Sequence, residues 1–178
     1  MTRLLTAKQV AGALERLYAS IVADLPSDRR LAVIGMRTRG ETLAARIAER
    51  LRGDKRGPSD VCRGVLDITF YRDDLSRRHG APLVRATEID FDLNDTWVLL
   101  VDDVLQTGRS VRAALDAIHD FGRPLVIRLA VLIDRGGREL PISADFVGTR
   151  VKVPHGQRVQ LRLEENDGEE GAWVIKNE

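Results

Sequence analysis

Val98-Leu-Leu-Val-Asp-Asp-Val-Leu-Gln-Thr-Gly-Arg-Ser-Val-Arg-Ala-Ala-Leu-Asp-Ala-Ile-His-Asp-Phe121 is the stretch whose reading decides the fold. Residues 98–101 are an unbroken apolar run, the pattern of a strand buried on both faces of a parallel sheet. Asp102 and Asp103 stand where that strand is expected to end, and 106–110 form a short loop containing Gly108. Val111, Leu115 and Ile118 then recur at i, i+4 and i+7, one face of a helix.

The order strand, acid pair, glycine loop, helix has a chemical meaning. A helix N-terminus carries unpaired N–H groups and the positive end of the dipole, which suits a phosphate. Gly108 permits close backbone approach, Thr107 and Ser110 add hydroxyls, and Arg109 adds charge. The two carboxylates repel phosphate but accept hydrogen bonds from vicinal sugar hydroxyls, so one turn can hold a ribose 5-phosphate. Two plainer readings stand beside this one. The acids can be a solvated strand end with Ser110 as a simple helix cap. A nucleotide-hydrolase strand with an acidic end is the other, and it needs a G-x-x-x-x-G-K-[ST] loop that this chain lacks.

Working outward, 31–36 is a short apolar strand followed by Gly35-Met-Arg37-Thr38-Arg39-Gly40. Thr38 and Glu41 have capping-box spacing, and Leu43, Ile47 and Leu51 mark a helix face. A second strand-to-helix turn therefore presents two guanidinium groups and backbone N–H groups, a holder for a diphosphate. Thr6 and Gln9 likewise have capping-box spacing before Val10, Leu14, Leu17 and Ile21, predicting a first amphipathic helix that ends near Pro26. Residues 61–71 read as a strand with Val65, Ile68 and Phe70 buried. The polar stretch from Arg72 to Asp95 has no sustained period, and so long a loop in a compact domain is usually a lid, an arm or disordered. Residues 125–133 form another buried strand, 144–163 suggest edge strands, 164–170 a solvated acidic turn, and 173–175 a last short strand.

Composition narrows the classes. With 178 residues the chain supports one domain over 1–178. No apolar run approaches the roughly 18 residues of a membrane span, and the charged start, Met-Thr-Arg-Leu-Leu-Thr-Ala-Lys-Gln9, is not the pattern of a signal peptide. Cys62 is the only cysteine, so an internal disulfide and a thiolate metal cluster are excluded, and its place in a strand suggests a core filler. His79, His119 and His155 have no metal spacing, so no protein-held metal site is expected. The expected compartment is the cytoplasm. Net charge is only +1, but Lys8, Lys55, Lys152 and Lys176 are the only lysines among 28 basic residues. Arginine suits bidentate phosphate contacts, although a genome-wide bias is the simpler cause.

Residues 98–110 resemble the phosphoribosyl pyrophosphate (PRPP) signature of type I phosphoribosyltransferases. Continued through Thr107-Gly-Arg-Ser-Val-Arg-Ala-Ala-Leu115, the sequence looks like the PyrR family of uracil phosphoribosyltransferases and pyrimidine-operon regulators. The resemblance covers nearly the whole chain. It implies an α/β fold with a central, mostly parallel sheet flanked by helices, a mobile catalytic loop over about 72–95, and a small hood over about 134–178. It further implies conversion of uracil and PRPP to UMP and pyrophosphate, with Mg2+ carried mainly by substrate oxygens.

Carried over residue by residue, PRPP binding falls on Arg37, Thr38, Arg39, Gly40, Asp102, Asp103, Thr107, Gly108, Arg109 and Ser110. Catalysis falls on Arg72, Asp102 and Asp103, and base binding on Asp134 and Arg135. The family also implies dimers or larger homo-oligomers, and an RNA-binding attenuator responsive to UMP or UTP with pyrimidine-leader mRNA as partner. Arg16, Arg138, Arg150 and Lys152 are the candidate RNA contacts. Glu15, Ala19, Gly137 and Ser143 stand where the family pattern has contacting side chains, so that function is the less secure. An RNA-binding regulator with little catalysis and a purine phosphoribosyltransferase remain the alternatives.

Overall fold

The structure, a computed structural model, describes residues 1–26, 29–58, 60–73, 86–154 and 156–176. The chain runs β1 (Thr2–Leu5), α1 (Ala7–Ala23), β2 (Leu31–Met36), α2 (Arg39–Gly53), β3 (Val61–Leu66) and β4 (Trp97–Leu105). It continues through α3 (Arg109–Ile118), β5 (Val126–Asp134), β6 (Phe146–Arg150), β7 (Gln157–Arg162), the single turn α4 (Glu164–Asp167) and β8 (Gly171–Lys176).

The apolar run 98–101 does lie at the centre of a sheet. Five strands are ordered β3-β2-β4-β5-β6, and every pairing is parallel. Alternation along the two central strands explains the layering. Leu31, Val33, Leu99 and Val101 pack under α1 and α2, while Ala32, Ile34, Met36, Val98 and Leu100 pack against α3 on the other face. Both faces are buried, which is why these strands read as continuous apolar runs. The α/β class, with a parallel sheet between helices, is therefore the one observed.

The segment from 134 onward divides between two sheets. β6 completes the main sheet, whereas β7 and β8 form a small antiparallel sheet with β1, in the order β1-β8-β7. The N-terminal strand β1 was not anticipated: four residues beside the capping box carry no periodicity of their own. The capping box itself is present, with the Thr6 N–H donating to Gln9 Oε1 at 2.9 Å and the Gln9 N–H to Thr6 Oγ1 at 3.3 Å.

Several expectations change. The strand expected over 61–71 stops at Leu66, because Asp67 turns the chain by accepting the Thr69 N–H at 2.8 Å and the Thr69 hydroxyl at 2.5 Å. Val65 and Ile68 are buried, but Phe70 is 68% exposed. Cys62 lies on the sheet's edge strand, partly exposed, with the Arg30 guanidinium donating to its Sγ at 3.2 Å. It is not a core filler. Thr38 makes no side-chain cap; Glu41 instead takes the Arg37 guanidinium at 3.1 Å. Of the loop expected over 72–95, residues 74–85 lie outside the described residues, as do Ser27, Asp28, Ser59, His155 and the last two residues. Among the described residues, no helix is long and apolar enough to cross a membrane.

Candidate active site

The carboxyl ends of the parallel strands, where open α/β sheets bind ligands, enclose a cavity of about 340 Å³. Arg37 and Thr38 line it from the end of β2, Asp102 and Asp103 from β4, Ser110 from α3, and Asp67, Ile68, Thr69 and Arg72 from the turn after β3. Two smaller hollows adjoin it, of about 220 and 230 Å³, and all three share Arg72 and Ser110. One polar trough thus runs from Arg37 to Thr107.

β4 does not end before its acids. Asp102 pairs in register with Val131, and Leu105 with Asp134, so Asp102 and Asp103 stand in the last stretch of β4, held by β5 after the pairing with β2 has ended at Val101. Their hydrogen-bond donors among the described residues are local. Asp102 Oδ1 accepts the Asp103 N–H at 2.8 Å, and Asp103 Oδ1 accepts the Val104 N–H at 2.8 Å. Among the described residues neither forms an ion pair. Burial at the cavity floor, reinforced by the Asp103 charge, pushes the Asp102 carboxyl well above the ordinary carboxylate range. Burial also raises Asp103, although the Asp102 and Val104 hydrogen bonds and the charge of Arg39 oppose it. Two adjacent carboxylates kept in this way favour a ligand that donates hydrogen bonds or brings positive charge.

The turn after β4 is shaped for an anion. Gly108 has φ +91°, a left-handed conformation that a side chain would strain, and it precedes the first turn of α3, which has no side-chain cap. The Arg109 N–H reaches Thr107 Oγ1 at 3.3 Å. The Arg109 guanidinium points elsewhere, to Glu139 at 2.7 Å and Asp73 at 2.6 Å, so it ties the start of the 72–95 segment to the loop after β5. Thr107, Gly108 and Ser110 line the adjoining hollow together with Arg72.

The turn after β2 is arranged differently from the expectation. Arg37 lines the cavity, but its guanidinium is shared between Glu41, Glu88 at 2.6 Å and the Ala86 carbonyl at 2.9 Å. Arg39 lines none of the three hollows and forms a two-point ion pair with Asp167, at 2.6 and 3.0 Å. Gly40 serves close packing: a Cβ there would lie 2.6 Å from the Val101 carbonyl oxygen and 3.1 Å from Asp102 Cα. The glycine lets α2 begin directly against the acid-bearing end of β4.

Asp67, Ile68 and Thr69 were missed by the sequence reading, which ran a strand through them. The available signal was Asp67-x-Thr69, an Asx-turn spacing at a strand end.

Asp134 and Arg135 line none of the three hollows. Burial pushes the Asp134 carboxyl up, but the Gly136 N–H at 3.0 Å and the Arg138 guanidinium at 2.8 Å outweigh it and hold it below its ordinary value. Arg135 is buried, with its guanidinium on the carbonyls of Gln157 and Val153, and burial lowers its basicity. It fastens the loop after β5 to the start of β7. Among the candidate RNA contacts, Arg138 also donates to the Ile142 and Gln106 carbonyls, both at 2.9 Å, and Arg16 Nε to the Gly148 carbonyl at 3.1 Å. Arg150 and Lys152 are exposed.

Comparison with known proteins agrees with this geometry. The family described as "Phosphoribosyl transferase domain" matches residues 1–160. A protein of Roseiflexus sp. (strain RS-1) named "Bifunctional protein PyrR" is 50% identical over 175 residues, spanning 98% of this chain and 94% of that one. The protein of the same name from Clostridioides difficile (strain 630) is 45% identical, spanning 97% and 96%. Among solved structures, the hypoxanthine phosphoribosyltransferase of Trypanosoma cruzi superposes with a TM-score of 0.70 at 21% identity, covering 100% of this chain and 98% of that one. That likeness concerns the fold. With the acid pair of β4, the anion turn before α3 and a near-full-length match at half identity, this chain belongs to the PyrR family of phosphoribosyltransferases.

Proposed function

We propose that this protein is a cytoplasmic uracil phosphoribosyltransferase that converts uracil and PRPP to UMP and pyrophosphate. The observation that carries this reading is the polar trough. It joins two carboxylates that form no ion pair among the described residues to two strand-to-helix turns that present backbone N–H groups. PRPP has the complementary groups in the complementary order: a 5-phosphate, two vicinal hydroxyls and a diphosphate.

The 5-phosphate sits on the first turn of α3 with Thr107 and Ser110, where the helix dipole and free N–H groups favour it. Asp102 and Asp103 accept the ribose hydroxyls. Thr38 and Arg37 face the diphosphate, and Arg72 lies between the two anionic ends. A uracil ring nitrogen attacks C1 of the ribose as the bond from C1 to the diphosphate oxygen breaks, and the nitrogen's proton leaves. No protein nucleophile is needed. Positive charge grows on the sugar beside the two carboxylates and negative charge on the leaving diphosphate beside Arg37 and Arg72, which is electrostatic stabilisation by fixed groups.

The site fits Mg2+ delivered with the substrate. The acid pair offers carboxylate oxygens at the trough floor whose hydrogen bonds are to neighbouring N–H groups. Bound there, Mg2+ would neutralise charge on the diphosphate.

Uracil rather than a purine is favoured by the near-full-length similarity to proteins named PyrR; the purine enzymes share only the fold. Asp134 and Arg135 would shape the base pocket by holding their loop, not by side-chain contact. Radiolabelled uracil, hypoxanthine and guanine assayed in parallel with PRPP and Mg2+ test this. UMP formation alone is expected, while IMP or GMP formation without UMP overturns it.

A second role, UMP- or UTP-responsive binding of pyrimidine-leader mRNA, is favoured by the word "bifunctional" in the relatives' name. Here Arg150 and Lys152 would meet RNA, whereas Arg16 and Arg138 already serve internal carbonyls. A gel shift with and without UMP tests it, and no UMP-enhanced binding sinks the role. Assembly as a homodimer or larger homo-oligomer belongs to the same proposal and is read by light scattering.

A further inference from the structure

Arg39, Thr42 and Arg46 recur at i, i+3 and i+7 along one face of α2, and all three meet the acidic turn between β7 and β8. Thr42 Oγ1 and Asn166 Oδ1 lie 2.7 Å apart. Arg46 takes Glu165 at 2.7 and 2.8 Å and Glu170 at 3.0 Å. The turn expected to be merely solvated is therefore docked on the helix that starts at the diphosphate end of the trough.

The Arg39–Asp167 contact differs from the others in place and in rigidity. Both side chains are mostly shielded, with 25% and 17% exposure, and the bond is two-point. Asp167 is itself fixed, because its Oδ2 also accepts the Leu163 N–H at 3.0 Å, and Leu163 is fully buried in the core. Arg39 directly follows the two residues that line the cavity, Arg37 and Thr38, and directly precedes Gly40, whose Cα is wedged against the Val101–Asp102 backbone. A carboxylate anchored in the small sheet thus grips the one side chain between the diphosphate turn and the acid-bearing strand.

We propose that Asp167 is a positioning residue for the diphosphate end of the site, acting through Arg39. It holds the Arg39 guanidinium on the turn between β7 and β8 and so fixes the backbone of the 37–40 turn in the geometry that receives the diphosphate. Arg39 then contributes to PRPP binding by where it holds the turn, not by direct contact. The inference rests on the proposed PRPP-binding function and deepens it. Glu165, which grips Arg46 two turns further along the same face at 50% exposure, supplies an internal control.

The test measures Mg2+–PRPP binding by calorimetry together with KM for PRPP and for uracil. The proteins are the full chain and the variants Asp167→Asn, Arg39→Gln, the double variant and Glu165→Gln. An asparagine keeps an oxygen for the Leu163 N–H and removes the charge. Asp167→Asn is expected to weaken PRPP binding and raise its KM roughly tenfold, the scale of losing a supporting partner. KM for uracil should stay within about twofold, since only one end of the site is disturbed. Arg39→Gln should match it, the double variant should be no worse than either single one, and Glu165→Gln should leave both KM values in place. Restoring a carboxylate with Asp167→Glu should recover part of the affinity. The inference is overturned if PRPP binding is unchanged in Asp167→Asn, or if the two substitutions add, which would make Arg39 a direct ligand. It is also overturned if Glu165→Gln shifts the same constants, which would make the contact general scaffolding. If Asp167→Asn does not fold, Asp167→Glu carries the test: a raised KM for PRPP with KM for uracil in place supports the inference, and an unchanged KM for PRPP overturns it. A wild-type chain that binds no PRPP overturns the proposed function together with this inference, whereas intact wild-type binding with unaffected variants overturns the inference alone.

Discussion

The two strand-to-helix turns of the site differ in what balances their charges. After β2, Arg37 and Arg39 are already matched by Glu41, Glu88 and Asp167. After β4, the hydrogen-bond donors to Asp102 and Asp103 among the described residues are two neighbouring N–H groups, and the charges of Arg72 and Arg39 act on the pair without forming an ion pair. The first turn is complete without a ligand. The second holds two carboxylates at the cost of their desolvation, which makes sense only if a ligand completes it. A half-buried acid pair without an ion pair of its own is thus a better marker of the ligand's position than an arginine with its carboxylates in place.

The largest effect should come from breaking the unbalanced side. Asp102→Asn with Asp103→Asn should lower kcat/KM by on the order of 10²–10³, the scale of removing groups that stabilise developing charge. The same variant should melt a few degrees higher than wild type without ligand, because the repulsion and desolvation are gone. Steady-state kinetics and thermal melting check the two halves, and a variant that is both inactive and less stable would contradict the account.

A pH series sharpens the same point. The folded-state carboxyls of the pair lie above their unfolded values. The pair therefore favours the fold while protonated, and this contribution is lost as pH rises through the folded-state values. The difference in melting temperature between the double variant and wild type should accordingly widen as pH rises from the ordinary carboxylate range, about 4. A constant difference would assign the effect to something other than the pair.

On the balanced side, Gly40→Ala tests close approach. Its Cβ would meet the Val101 carbonyl at 2.6 Å, so overpacking should destabilise the chain by about 1–3 kcal/mol in urea unfolding. Gly108→Ala, at φ +91°, should destabilise it by roughly 1–2 kcal/mol. The smallest effect is expected for Arg46→Ala, whose pairs are partly exposed and together should be worth no more than about 1 kcal/mol.

What could be read from the chain beforehand follows a physical line. Local order along one segment was visible: the apolar run into Asp102 and Asp103, the glycine turn into α3, and the capping box at Thr6. Features made by partners distant in sequence were not. Arg39 has the spacing of a phosphate ligand, but its direction is set by Asp167, 128 residues away. Arg135 looked like a base contact and is a buried tie to the carbonyl of Gln157. Phe70 looked apolar and therefore buried, but the turn at Asp67 leaves the strand ending at Leu66, five residues before the expected end. β1 is a strand only because β8 lies beside it.

The central claim is that the unbalanced acids of β4 await a phosphoribosyl donor, and calorimetric titration of PRPP with Mg2+ tests it most directly. The titration should show saturable binding, as the two carboxyl groups meet the ribose hydroxyls and the accompanying cation. That binding should vanish in the Asp102→Asn, Asp103→Asn variant. Binding that persists unchanged in that variant, or no binding to the wild-type chain, would contradict the account.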